Sequence, residues 1–297
     1  MNQNILLRAL HPIFHRNQSF KDQFNGQTCY IFGNGSSLKN IDFSYFTNHP
    51  TIAINQLVLH KDFHLLDVCA YALPEPFFFY SYFRNPYTLK YEKNVMGNLF
   101  RSEIAKYPKI KIFTSIANIF GGVRKNTYYL HHFGKREADI NYIDICSKFS
   151  FLGGGLHSAL GLAIAFGFEK AILVGCDYLM KPKTYGHFYS YPLYGEDDSS
   201  NPYRDLLQSC SSKIKIESIS DKPVDSWVPN VDFESFPTSQ KENMVTFITD
   251  LTDTFHNEIE GSQVTIALPA VDWSNAFDYN SLASISDGLF IMGYDYH

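Results

Sequence analysis

Glycines and small polar side chains come together at one point of the sequence, directly after a short apolar segment. Residues 30–32 are followed by Gly33, Asn34, Gly35, Ser36 and Ser37. Glycine lacks a Cβ, so the backbone can approach a ligand closely. A helix that begins at the serines adds free N–H groups and a dipole that favour an anion. We interpret the run as a phosphate or nucleotide pocket. The alternative is an ordinary strand-to-helix turn with a serine N-cap, because the run matches neither the dinucleotide-binding fingerprint nor the P-loop.

The segments around this run alternate as an α/β fold requires. Apolar segments at residues 28–32, 51–54, 68–73 and 110–114 predict strands, and residues 155–168 predict a helix. Residues 171–175 form a continuous apolar run, typical of a central parallel strand that is buried on both faces. We therefore predict a mostly parallel sheet with flanking helices. Ligands bind such sheets beyond the carboxyl ends of the strands, where the turn at 33–35 and Asp177 would lie.

Two irregular segments lie between the predicted elements. Residues 73–91 are rich in Phe and Tyr, which favours either a segment packed on the sheet or an aromatic lid over a substrate. Residues 181–203 include Glu196, Asp197 and Asp198. Such carboxylates could hold a divalent metal, but in a loop they are more often solvated charges. We predict neither a metal nor a cofactor.

The composition restricts the class of protein. Of the 297 residues, 45% are hydrophobic and 16% aromatic, enough for a sizeable core. The net charge is −5 and basic runs are absent, which argues against nucleic acid as a partner. The five cysteines are widely spaced and predict reduced thiols. No apolar segment suits a signal peptide or a membrane span. We expect a cytoplasmic protein, with a contact at the inner face of the membrane as an option.

Three parts of the sequence resemble the bacterial sialyltransferases of glycosyltransferase family 42. They are the run at 31–42, the pair Asn55-Gln56 with the Tyr-rich stretch after it, and the segment at 163–178. The resemblance covers residues 27–190 and is shared more loosely by other Rossmann-like proteins, including pterin diphosphokinase-like members. It implies a Rossmann-like domain at 27–222, after a helical extension at 1–26. It also implies transfer of a sugar from a nucleotide-sugar donor, CMP-sialic acid in the family, to a glycan acceptor.

The resemblance also implies which residues hold the nucleotide. They are Gly33, Asn34, Gly35, Ser36, Asn55, Gln56, Gly154 and Asp177. An Asn amide both donates and accepts hydrogen bonds, which suits a pyrimidine edge or a ribose, and the glycines admit a close approach.

The catalytic groups implied by the family are tyrosines and a histidine. Tyr185 falls where the family places a tyrosine that stabilises the departing phosphate, whereas the position of its partner holds Leu179, next to Tyr178. His187 is the candidate base for the proton of the acceptor hydroxyl, nearer in sequence to Asp177 than the family pattern asks. His131 and His132 are alternatives.

The last 70 residues resemble another family, the chitinase-like hydrolases of glycoside hydrolase family 18. The resemblance rests on residues 231–234, 264–270 and 288–296. It implies that Glu234 is a general acid, that Asp232 orients the N-acetyl group of the substrate, and that Tyr294 and Asp295 hydrogen-bond that group. The segment at 223–297 is thus expected to be a partial (β/α) barrel.

Two features favour relict carboxylates over an active hydrolase. Asn230 and Trp227 stand where the family has two earlier aspartates, and three strands cannot close an eight-stranded barrel. The sequence therefore leaves three functions open: a glycosyltransferase, a hydrolase and a catalytically inactive binding protein. A chimeric or truncated gene product is one interpretation of the two resemblances.

Overall fold

A computed structural model gives the fold of the chain in two compact units. The structure describes residues 10–80, 95–121, 125–131, 138–179, 186–189, 203–220, 230–232, 239–269 and 277–292. The first unit extends to Asn230 and the second begins at Val231.

The first unit alternates strands and helices along the chain. Its regular elements are α1 (residues 10–15), β1 (Thr28–Phe32), β2 (Thr51–Ile54), β3 (Val68–Ala72), α2 (Val95–Ile104), β4 (Ile112–Ser115), β5 (Thr127–Leu130), α3 (Gly155–Ala165), β6 (Lys170–Val174), α4 (Arg204–Cys210) and β7 (Lys215–Ser220). The predicted strands correspond to β1, β2, β3, β4 and β6, and the predicted helix to α3. The sequence analysis did not anticipate β5 and β7.

The strands of the first unit form a mostly parallel sheet, as expected for a Rossmann-like α/β fold. Their order is β5-β4-β3-β2-β1-β6-β7, and each neighbouring pair among them is parallel. The chain builds the sheet outward from β1 to β5 and then returns to the other side of β1 with β6. The order therefore reverses between β1 and β6, which is where open α/β sheets form a ligand crevice.

The two faces of the sheet are covered differently. On one face α3 packs against β1, β2 and β3, and most of its residues are buried. A Cβ at Gly161 would lie 2.5 Å from Cβ of Phe151, so α3 depends on its small residues to come this close. On the other face Phe32 makes edge-to-face ring contacts with Phe43 and Phe46. Burial of these rings against the sheet holds the short turns after β1 in place.

The second unit is a smaller βα arrangement. Its elements are α5 (Ser239–Glu258), β9 (Thr265–Pro269), α6 (Tyr279–Ile285) and β10 (Gly288–Met292), and the short strand β8 (Asn230–Asp232) lies across the boundary between the two units. Strands β9 and β10 are parallel neighbours in a two-stranded sheet. Ile248, Ile266, Leu268 and Leu282 form its buried core. None of the helices in the described ranges combines the length and apolar character needed to cross a membrane.

Candidate functional site

The chain makes a tight turn at the carboxyl end of β1, directly beside the end of β6. The Gly33 N–H donates to the Val174 carbonyl at 2.7 Å, and the Gly35 N–H donates to the Gly175 carbonyl at 2.8 Å. A Cβ at Gly33 would overlap the Gly175 carbonyl oxygen, and one at Gly35 would overlap the Asp177 carboxylate. Both glycines are therefore required by contacts within the protein, whether or not a ligand is bound.

The carboxylate of Asp177 occupies the place that the sequence analysis gave to a ligand anion. The side chain is buried and accepts a hydrogen bond from the Ser36 hydroxyl at 3.0 Å. Ser37 donates to it twice, from its N–H at 2.9 Å and from its hydroxyl at 2.5 Å. Residues Ser36–Asn40 form a short 3₁₀ turn, so no α-helix begins at the serines. The donors expected to bind a phosphate are used by an internal anion, because Asp177 lies within their reach.

The amide side chains at the ends of β1 and β2 meet in the same region. Asn34 Nδ2 donates to Gln56 Oε1 at 2.7 Å, and both residues are buried. Asn55 has a φ of +50°, a left-handed conformation that is uncommon outside glycine. Its carbonyl accepts a hydrogen bond from the Tyr71 hydroxyl at 2.8 Å.

Asn55 also links β2 to the beginning of α3. A Cβ at Gly155 would lie 2.6 Å from Asn55 Oδ1, so the side chain lies directly against the first turn of the helix. Gly154 is the N-cap of α3. Because glycine has no side chain, it gives no side-chain hydrogen bond to the first N–H groups of the helix. Asn34 Oδ1 and Asn55 Oδ1 are both enclosed without a hydrogen-bond partner among the residues that the structure describes.

His187, the candidate base, lies beside the glycine turn. It forms an antiparallel bridge with Gly35, and the next N–H, of Phe188, donates to the Asn34 carbonyl at 3.1 Å. Burial lowers the pKa of the His187 imidazole, opposed by a hydrogen bond to the Asn34 backbone and by the charge of Asp177. The neutral form, which can accept a proton, is therefore favoured near neutral pH.

The sequence analysis did not single out Tyr189, which packs beside His187. The two ring centroids are 5.0 Å apart. Burial raises the pKa of the Tyr189 phenol, although a hydrogen bond to the Asn34 side chain opposes the shift. Tyr189 is therefore a protonated hydroxyl group at this site, available as a hydrogen-bond donor. Its position two residues after His187 in a tyrosine-rich loop was the only signal in the sequence.

The structure also shows where other predicted residues lie. His131 follows β5 at the far edge of the sheet and stacks on Phe14, so it is remote from the turn after β1. Leu179 is buried in the core, away from any role as a donor. Asp232 ends β8, and only its backbone is described. Several predicted residues lie outside the described ranges: Tyr185, His132, Glu234, Tyr294, Asp295 and the carboxylates Glu196, Asp197 and Asp198.

A carboxyl group that the sequence analysis missed lies beyond the end of β3. Burial raises the pKa of Glu75 from 4.5 to about 7, opposed by its own backbone N–H. One oxygen of the group, Oε2, is enclosed without a hydrogen-bond partner in the described part of the chain. Its place at the carboxyl end of a predicted strand, between two prolines, was the signal available in the sequence. Strongly shifted pKa values are found at functional sites and also at buried structural groups.

Comparison with protein-family models finds no match to this chain, and comparison with curated protein sequences finds none either. Within the described ranges, no group of three or more His, Cys, Asp or Glu side chains could hold a metal ion. The ends of β1 and β6, between which the strand order reverses, form the switch point of the sheet. The groups available to a ligand there are amide side chains, a neutral imidazole, a phenol and the amino end of α3.

The contact between Gly35 and Asp177 predicts a specific energetic coupling. Gly35→Ala should destabilise the first unit by about 1–3 kcal/mol, because its methyl group overlaps the carboxylate. In an Asp177→Ala background the same change should cost about 1–2 kcal/mol less, since the obstacle has been removed. Urea unfolding of the single and double variants measures both effects. Gly33→Ala is the matched control, because its obstacle is the backbone of Gly175; equal coupling for both glycines would contradict the assignment.

The raised pKa of Glu75 predicts a pH-dependent effect on stability. Between about pH 4.5 and 7 the unfolded chain releases a proton that the folded chain retains, so this group weakens the fold as the pH rises. Glu75→Gln should therefore raise the unfolding temperature at pH 8 by several degrees and leave it nearly unchanged near pH 4. Thermal unfolding at the two pH values measures the difference. A gain of the same size at both would mean that the carboxyl is not a buried acid.

Proposed function

We propose that the first unit binds a nucleotide-activated sugar and transfers the sugar to a glycan acceptor. The observation that carries this proposal is the placement of Asn55, whose strained backbone holds an amide against the first turn of α3. Strained residues of this kind are retained where function requires them. The site lies at the switch point of a parallel sheet, where such sheets bind nucleotides. The donor, CMP-sialic acid in the resembling family, is part of the proposal.

In this proposal Asn34 and Asn55 bind the base or the ribose. Their side-chain oxygens, which have no partner among the described residues, accept hydrogen bonds from ligand N–H or hydroxyl groups. The phosphate lies at the amino end of α3, since the Ser36 and Ser37 donors are used by Asp177. The helix has 11 residues and its N-cap is a glycine, so it supplies N–H groups and a dipole without a competing side chain.

His187 and Tyr189 supply the chemistry in this proposal. The neutral imidazole takes the proton from the acceptor hydroxyl as its oxygen forms a bond to the anomeric carbon. The bond between that carbon and the phosphate oxygen breaks, and its electron pair leaves with the nucleotide. The Tyr189 hydroxyl, protonated because of its burial, donates a hydrogen bond to the departing phosphate. Tyr185 stays a prediction for the same role, as does the cytoplasmic location.

Calorimetric titration with CMP, UDP and CMP-sialic acid tests the binding step. The wild-type chain should bind at least one of them, and Asn55→Ala should weaken that affinity at least about tenfold. Asn126→Ala is the matched control, because Asn126 precedes β5 at the opposite edge of the sheet and binds the Pro108 carbonyl. If folded wild-type protein binds none of the three nucleotides, the proposal is wrong.

A transfer assay separates an enzyme from an inactive binding protein. His187→Ala should keep nucleotide binding within about twofold and lose transfer or donor hydrolysis by at least about a hundredfold, the usual contribution of a general base. A wild-type chain that binds the nucleotide but neither transfers nor hydrolyses the donor would identify a binding protein that retains only the pocket.

A second candidate function belongs to the second unit. Helix, strand, helix and strand alternate there from α5 to β10, with β9 and β10 parallel. That alternation is the building pattern of a (β/α) barrel, which favours origin from a hydrolase barrel. Release of a chromophore from an N-acetylglucosaminide, lost in Glu234→Gln, would indicate activity. With relict carboxylates, as we propose, wild type and variant show no turnover.

A further inference from the structure

A single hydroxyl group joins the two ends of the turn that follows β2. The Val58 N–H donates to the Tyr71 hydroxyl oxygen at 3.0 Å, and the Tyr71 hydroxyl donates to the Asn55 carbonyl at 2.8 Å. In a hydrogen-bonded β-turn the carbonyl of the first residue accepts directly from the N–H of the fourth. Here the phenol lies between these two groups, so residues 55–58 are held together by a side chain from the neighbouring strand.

The ring of Tyr71 has a defined place in the core. Tyr71 is fully buried on β3, where it pairs with Ala53 of β2, two residues before Asn55. The ring makes an edge-to-face contact with Phe100 of α2, with the ring centroids 5.6 Å apart. Burial raises the pKa of the phenol, so the group stays protonated and keeps the hydrogen that it donates. The hydroxyl therefore holds the groups that it binds in a defined position.

The backbone at Asn55 needs an interaction of this kind. Its φ of +50° lies in the left-handed region, which residues with a Cβ rarely adopt. In this conformation the side chain lies against the first turn of α3, where a Cβ at Gly155 would be 2.6 Å from Asn55 Oδ1. A return to an extended backbone would turn the Cα–Cβ bond of Asn55 in another direction and take the amide away from α3. The hydrogen bond from Tyr71 opposes that rotation, because it fixes the carbonyl of the same residue.

We propose that Tyr71 is a positioning residue, whose hydroxyl holds Asn55 in the left-handed conformation and thereby keeps its amide at the amino end of α3. Tyr71 acts through Asn55 and contacts no ligand itself. The consequence for nucleotide affinity rests on the proposed function, in which Asn55 binds the base or the ribose. The hold on Asn55 does not, because it involves only contacts within the first unit.

Calorimetric titration of Tyr71→Phe with CMP, UDP and CMP-sialic acid tests the effect on affinity. The variant keeps the ring and loses only the hydroxyl, so the affinity should fall by about three- to tenfold, as expected for the loss of one hydrogen bond. In an Asn55→Ala background the same change should alter the affinity by less than about twofold, since the amide that Tyr71 positions has been removed. A purely structural role would give an equal loss in both backgrounds.

Tyr30→Phe is the matched control. Tyr30 is also fully buried, and its hydroxyl donates to Asn48 Oδ1 at 2.7 Å. Asn48 precedes β2, whereas Asn55 follows it, so the two phenols act at opposite ends of that strand. Both variants should lose stability, because each gives up a hydrogen bond of a buried ring. Only Tyr71→Phe should lose affinity for the nucleotide.

NMR of the ligand-free chain tests the hold on Asn55 directly. The Cα and Cβ resonances of Asn55, which report its backbone conformation, and those of its side-chain amide should shift in Tyr71→Phe. Tyr30→Phe should leave them in place. Unchanged Asn55 resonances in Tyr71→Phe overturn the proposal, as does an equal loss of affinity with and without the Asn55 amide.

The two measurements separate a failure of this proposal from a failure of the proposed function. Shifted Asn55 resonances in a chain that binds none of the three nucleotides would remove the proposed function and leave Tyr71 as the residue that positions Asn55. Nucleotide binding that is equally tight in wild type and Tyr71→Phe would leave the nucleotide site and remove the positioning role.

Discussion

The candidate site depends on the contact between the Asp177 carboxylate and the turn after β1. A charged group that is buried must be fully hydrogen-bonded, and Asp177 meets that requirement with donors from Ser36 and Ser37. The contact requires glycine at position 35, because a side chain there would occupy the place of the carboxylate. It thereby joins the ends of β1 and β6, the two strands between which the sheet reverses its order.

Other parts of the site are built on this junction. The backbone of Asn34, fixed by the turn, accepts from Phe188, and Gly35 forms the bridge to His187. The side chain of Asn34 reaches Gln56 at the end of β2. A loop that is distant in sequence is thus attached to the sheet at the switch point. The same attachment encloses the imidazole, and this burial keeps His187 neutral.

The sequence predicted the strands of the sheet better than it predicted what the turns after them bind. β1 was predicted from a short apolar segment, and β6 from a continuous apolar run of the kind that marks a buried parallel strand. β7 was missed because Lys215, Glu217 and Ser218 interrupt its apolar residues; in the fold Glu217 forms ion pairs with Lys170 and Lys215. The ion pair with Lys170 joins two strands that are distant in sequence, so it leaves no local pattern.

The turn at 33–37 illustrates a more general ambiguity of sequence patterns. Glycine followed by serines offers backbone approach and hydrogen-bond donors, and a ligand phosphate and an internal carboxylate use them equally well. Only the position of Asp177, 140 residues away from Ser37 in sequence, decides between them. The nucleotide residues implied by resemblance therefore lie together in the fold, although Ser36 and Asp177 have each other as partners.

Glu75 is the converse case, a residue whose chemical properties depend on its surroundings in the fold. A glutamate between two prolines carries no signature, and its pKa depends on how much water the folded chain excludes. Thr114 and Asn118 fix the backbone before it, yet one of its oxygens has no partner in the described ranges. Such an arrangement lowers stability, since the folded chain must keep a proton or bury a charge.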